Sequence, residues 1–401
     1  MLQRRIASFV RARITFAGAL FIACYVAAGL YTELRLIEGK PLPQMLLEDF
    51  AHYERALKDA LSGIGAYAVR EIGPGFLYPP PSLFLVEAFQ FASQTALKAA
   101  LYWTLNVSLL TLVVLAVVRR FDGTPVQHGY WLALSLAFAP FLELLHIGQI
   151  NVITLFGIAL VFLYQDRSAV LTGLGLALAV ITKLSPLVLA AYLLARKKFD
   201  AVMVCAALLA AALVLSALRY DASLLDYAAT VRWLSEQFPL GNNSHSFVSK
   251  LRALGMPLRS DPYLAPLARV LINFRLAQPL LSVLPIALIV GASLLLLLRK
   301  GGAGEPAFAI TVLGMALVPN VMWYHHYVFL LLPLLIWAGW RRFDWRVVAW
   351  CGIGLLIAQV DRFHLTHGLL VHLFGRLTML VILYQQVMAV TPQLQPVSAD
   401  S

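Results

Sequence analysis

Stretches with no charged side chain recur along this chain, at 14–31, 99–118, 281–298 and 347–360. A helix needs about 20 mostly apolar residues to cross the hydrocarbon of a bilayer. A soluble fold has no interior large enough to hide several such runs, and the composition closes that route. Hydrophobic residues make up 61% of the 401 and charged residues 13%, against roughly 45–50% and 25% in soluble domains. Lipid is therefore the solvent for most of the chain. The expected fold is an all-α polytopic membrane protein, one integral domain over 1–401.

Twelve spans are predicted: 14–31, 99–118, 128–145, 150–164, 168–182, 184–195, 201–218, 281–298, 306–318, 323–340, 347–360 and 366–384. Residues 82–93 read as a re-entrant or interfacial helix. Arg4, Arg5, Arg11 and Arg13 ahead of a run too long for a cleaved signal predict an uncleaved anchor. The net charge is +11, but no basic stripe interleaved with aromatics suggests nucleic acid. Instead Arg119, Arg120, Arg167, Arg196, Lys197, Lys198, Arg299, Lys300, Arg341, Arg342 and Arg346 join the four N-terminal arginines in short connections on one side. That bias predicts both termini inside and two long outer loops, 32–81 and 219–278. Cys24, Cys205 and Cys351 are scattered through or beside apolar runs. They predict neither disulfides nor a metal site.

On that map the conspicuous polar groups converge on the outer side. Glu48 and Asp49 open a short amphipathic segment in which Phe50, Tyr53, Leu57 and Leu61 recur at helical spacing. Asp49 is either an N-cap or a general base held at the water–lipid boundary, and the two roles are compatible. Tyr78-Pro79-Pro80-Pro81 stiffens the return of the loop; Tyr78 either lines a pocket or packs as an interfacial aromatic. Gly148-Gln149-Ile150-Asn151 puts two carboxamides at a turn between spans, as inter-helix glue or as contacts for a sugar. Lys183 is a cation embedded between two spans, where charge is costly and defaults to function; snorkelling to headgroups is the other reading. Asn242-Asn243-Ser244 falls in the second outer loop, and His325-His326 opens a span. Adjacent histidines make a poor metal pair, so one facing a phosphate or sugar while the other packs is expected. His364, His367 and His372 read as interfacial.

Taken in order, Asp49-Phe50 with Tyr53, Tyr78-Pro79-Pro80, Gly148-Gln149-Ile150-Asn151, Lys183 with Pro186, Asn242-Asn243-Ser244 and His325-His326 resemble the polyprenol-phosphate-sugar transferases of glycosyltransferase family 87, in the GT-C superfamily. The resemblance spans most of the chain. It implies a GT-C fold, an external active site with Asp49 as general base, and a polyprenyl-phosphate sugar donor, often of mannose. Lys183, His325 and His326 would then bind the donor phosphate. Glu48, Tyr53, Tyr78, Gln149, Asn151, Asn243 and Ser244 would contact sugar or acceptor. Two positions depart from the family pattern: Asn243 stands where a Gln is common, and Tyr324 where a polar or acidic residue often precedes the histidines. Both bear on which sugar and acceptor are used.

The implied enzyme is a hexosyltransferase of the cell envelope, multi-pass in the plasma (inner) membrane. It has no metal or organic cofactor, and the lipid-linked sugar is its co-substrate. Its partners are that donor, a glycan or glycolipid acceptor, and membrane lipids. Two rivals stand beside it. A secondary transporter also fits twelve spans, but would place polar residues at mid-membrane on broken helices within a repeat. An outer-face polysaccharide polymerase or ligase would use Arg232, Arg252, Arg259, Arg269 and Arg275 in the large loop.

Overall fold

The computed structural model describes residues 18, 20–31, 47–67, 76–90, 94–237, 246–300, 304–319, 322–361 and 368–390. Every element among them is helical. Four helices, Thr95–Arg120, Phe199–Tyr220, Arg275–Arg299 and Leu369–Val390, are long and apolar enough to cross a membrane alone. Pro125–Leu136 and Ala139–Ile147 meet at a 52° bend and together make a fifth candidate. The bend has a covalent cause. Pro140 lacks the N–H that would continue the first helix and is tolerated only in the opening turn of the second.

The other expected spans are shorter apolar helices: Leu20–Tyr31, Asn151–Tyr164, Ala169–Thr182, Ser185–Ala195, Gly304–Leu317 and Trp345–Val360. The 323–340 run divides into a tight 3-10 segment, Tyr324–Leu330, and the α-helix Leu331–Trp340. Gly304–Leu317 is apolar on all sides and almost wholly buried, the pattern of a central helix. Asn151–Tyr164 and Ala169–Thr182 form a close antiparallel hairpin. A Cβ on Gly157 would come within 2.6 Å of the Gly175 carbonyl oxygen, so glycine permits the approach, as small residues do between membrane helices.

The periphery is apolar as well. Leu370, Leu373, Leu377, Leu380, Tyr384 and Met388 form an exposed stripe along the last helix, with the spacing of one helix face. Water would penalise such a stripe, whereas lipid accepts it.

The two ends of the bundle differ chemically. Arg196 and Lys198 meet Asp166 at 2.7 and 2.9 Å, and Arg120 lies 3.8 Å from Glu305, all at one end. Asn151 and Lys183 bound the 151–182 hairpin at the other. There, Phe50, Tyr53, Tyr67, Phe76, Tyr78, Tyr102, Ile150 and Tyr227 build a second core.

Candidate active site

The expected amphipathic helix is present as Glu48–Leu61, with Phe50, Tyr53 and Leu57 buried. Leu61 departs from expectation: it is 50% exposed, and Ala56 and Ala60 complete the buried face instead. Asp49 does not cap this helix. The cap position is Leu47, which has a left-handed backbone (φ 63°) and provides no side-chain bond. Its N–H donates instead to the His146 carbonyl at 2.9 Å. The helix start is thus tied to the 146–151 turn by backbone, which frees the Asp49 carboxylate for other use.

That use is specific. Gln149 Nε2 donates to Asp49 Oδ2. The Tyr78 hydroxyl donates to Gln149 Oε1, which fixes the amide with its NH2 toward the carboxylate. Tyr53 Oη lies 3.1 Å from Tyr78 Oη and takes the donor role there, since the Tyr78 proton is committed to Gln149. Tyr67 donates to the Tyr78 carbonyl at 2.7 Å, and Tyr102 donates to the Gln149 carbonyl. The result is a polarised chain, Tyr53 to Tyr78 to Gln149 to Asp49, in which each bond strengthens the next. Gly148 is required beneath it. Its φ is +83°, and an added Cβ would lie 2.9 Å from Phe50 Cβ.

Burial raises the Asp49 carboxyl above the ordinary carboxylate range, and nearby Glu48 adds to the rise. The Gln149 bond and His52 oppose it. Asp49 is half-buried, while Glu48 is exposed. A desolvated, oriented carboxylate of raised basicity is what a general base requires.

Tyr53 and Tyr78, expected as ligand contacts, have their hydroxyls committed within the chain. They position Gln149 and, through it, Asp49.

A second group assembles at the same end. Lys183 occupies the turn between Ala169–Thr182 and the Ser185–Leu187 turn, outside both helices. Its Nζ lies 2.8 Å from His326 Nε2 and 5.4 Å over the Phe329 ring, so it does not snorkel. The Trp323 N–H donates to His326 Nδ1 at 3.4 Å, which leaves Nε2 as the proton-bearing nitrogen facing the amine. Burial pulls Lys183 down to about 7, and an anion held beside it would favour its charged form. Among the described residues no carboxylate forms an ion pair with Lys183. His325 is buried, with its ring tilted 13° from that of Trp323 at 6.1 Å. The histidines thus divide their surroundings, His326 toward Lys183 and His325 against the indole. They do so on a 3-10 turn rather than the α-helix expected.

Gln149 and Asn151 do not act as a pair. Gln149 serves Asp49. Asn151 is fully buried one turn before Thr154, and neither atom of its carboxamide has a hydrogen-bond partner among the described residues. Thr154 meets Thr182 at 2.8 Å, which places this turn beside Lys183. Asn243 and Ser244, with Asn242, His364 and His367, lie outside the described residues. His372 is buried against Phe247, at 5.7 Å between rings, rather than interfacial.

Sequence reasoning missed Tyr102 and Asp361. Tyr102 sits inside an apolar run, where its hydroxyl was the only signal, since buried tyrosines find a partner. Asp361 ends such a run and is buried. It accepts from Tyr327 Oη at 3.0 Å and from the Gly368 N–H at 2.6 Å. Tyr324 Oη donates to the Gln359 carbonyl at 2.6 Å, so both tyrosines flanking the histidines fasten the 3-10 segment to the end of Trp345–Val360.

Among known protein families, the model of Glycosyltransferase family 87 matches residues 76–333. That stretch is well over half of the chain. It includes Tyr78, Gln149, Lys183 and His326, and Asp49 lies ahead of it. No curated protein matches the chain.

Proposed function

The chain belongs to glycosyltransferase family 87, and from that membership we propose that it moves a hexose, mannose in the first instance, from a polyprenyl-phosphate donor to a lipid-linked or envelope glycan acceptor. The observation that carries this reading is the pairing at one end of the bundle: an oriented carboxylate, Asp49, and a half-buried basic pair, Lys183 with His326. The first suits an acceptor hydroxyl, the second a departing phosphate.

In the proposed reaction Asp49 takes the proton of the acceptor hydroxyl as its oxygen bonds to the anomeric carbon. The bond from that carbon to the phosphate oxygen breaks, and polyprenyl phosphate leaves with the electron pair. Lys183 and His326 offset the charge growing on it. A single displacement with one carboxylate inverts the anomeric centre. Asn151 is the candidate for a sugar hydroxyl, because its carboxamide otherwise stays unsatisfied. We read the whole as a GT-C fold of about twelve spans in the plasma membrane, its active site on the extracytoplasmic face. The fifteen basic residues placed in inner connections support that orientation.

Two expected outcomes test this reading. Mass spectrometry of lipid-linked glycans from cells with and without the protein should show one species shortened by a hexose in its absence; identical profiles contradict the assignment. The pH profile of kcat/KM tests the base. Asp49 works deprotonated, so activity should fall as pH drops through its raised pKa. Gln149→Leu removes an interaction that lowers that pKa, so the acid limb should move to higher pH. A limb that stays put or moves down rejects Asp49 as the titrating base.

A further inference from the structure

Arg376 lies seven residues into the Leu369–Val390 helix, about 10 Å from its start at 1.5 Å per residue. This places a guanidinium within a stretch whose composition belongs in lipid, where charge is costly and marks a function by default. Its contacts are particular. Nη1 donates to the Leu281 carbonyl at 2.8 Å. Leu281 belongs to a π-helical turn, Gln278–Val283, a widening that recurs at functional sites. The Phe247 ring centre is 3.7 Å from the guanidinium carbon, which fixes the plane of the group.

The other edge is unused. Nε and Nη2 are both buried, and neither has a hydrogen-bond partner among the described residues. These two nitrogens form the side of the fork that grips an oxyanion through parallel bonds. Leaving charged donors buried and unpaired is expensive, and the transfer chemistry above does not use Arg376. Two further basic residues are buried close by along the chain. His372 is one turn earlier on the same helix, and Lys250 is one turn beyond Phe247, both buried. Asp361 lies close enough to Lys250 to act on its charge, which leaves Arg376 as the cation in want of an anion.

We propose that the Nε–Nη2 edge of Arg376, backed by Phe247, is a phosphate-binding site distinct from the Lys183–His326 pair, and that the phosphate is that of an anionic lipid headgroup. The setting favours a lipid, since the helix that carries Arg376 is apolar enough to cross a membrane and a headgroup is the phosphate that accompanies such a helix. The planar, stacked fork favours phosphate over a point-charge contact.

The test uses the full chain purified in uncharged detergent, with phosphatidylglycerol and inorganic phosphate as separate probes. Native mass spectrometry should show one saturable phosphatidylglycerol on the wild type. Arg376→Gln should weaken it about tenfold or more, the scale of hydrogen bonds to a charged group. Arg376→Lys, which keeps the charge but not the fork, should fall between. Competition by inorganic phosphate at similar concentration would assign the source as free phosphate rather than a headgroup. Equal affinity of wild type and Arg376→Gln for both probes overturns the site. The wild type alone gives a second reading that needs no variant to fold. Phosphatidylglycerol or phosphate should slow hydrogen exchange across 247–250 and 372–376, and unchanged exchange with both rejects the proposal.

Discussion

Asp49→Asn should lower turnover by about 10²–10⁴-fold, the usual cost of losing a general base, in a protein that still purifies folded. The substitution is nearly isosteric. Asn Oδ1 can still accept from Gln149 Nε2, so the chain from Tyr53 and Tyr78 stays in place. The helix start is also unaffected, because Leu47 rather than Asp49 holds the cap position. What is lost is the capacity to take a proton. Glu48→Gln, made alongside, should remain active, since Glu48 is exposed and outside the hydrogen-bonded chain. Measured kcat on purified protein decides the matter. If Asp49→Asn keeps the wild-type rate while Glu48→Gln is inactive, the base is Glu48. If both keep it, the proposed chemistry is wrong.

The second large effect is expected at Lys183. Lys183→Met should cost about 10²–10³-fold in kcat, comparable to removing one group that stabilises transition-state charge. Its effect on stability should run the other way. Enclosing the Lys183 amine with no acid partner among the described residues exacts a desolvation cost, so an apolar side chain of similar length should leave the melting temperature unchanged or raise it. Loss of rate with gain of stability is a signature that a structural lysine would not produce. His326→Ala should lower the rate similarly, and the double variant should be little worse than either single one, because residues acting as a unit are not additive. Wild-type kcat and donor KM in Lys183→Met would remove the phosphate role from that residue.

Much of this was legible in the sequence for a simple reason. In lipid the backbone must satisfy itself, so each long apolar run is a helix wherever it is described. The amphipathic spacing of Phe50, Tyr53 and Leu57 likewise placed the helix Glu48–Leu61. Three things were not legible. Asp49 read equally as a cap or a base because the two share residue types, and only the backbone of Leu47 removes the capping role. The bonds from Tyr78 to Gln149 and from Gln149 to Asp49 could not be read because sequence gives no direction for a hydroxyl or an amide. Arg376 and Asp361 were overlooked because each sits in or against an apolar stretch, and their importance lies in partners the local sequence does not show, Tyr327 for Asp361 and Leu281 and Phe247 for Arg376, or, for two of the Arg376 nitrogens, in having none among the described residues.

Pairing an acceptor-side carboxylate with a phosphate-side basic pair makes a definite demand on the donor. On the proposed reading the leaving group is a phosphate on lipid, held by the pair at the end of the bundle that also carries Asp49. Purified protein should therefore be given radiolabelled polyprenyl-phosphate mannose or the corresponding nucleotide-linked sugar, each with a lipid-linked glycan acceptor, and the label followed into product. Transfer from the polyprenyl phosphate, lost in Asp49→Asn and Lys183→Met, is the predicted result. Transfer from the nucleotide sugar alone, or transfer that both variants retain in full, would contradict it.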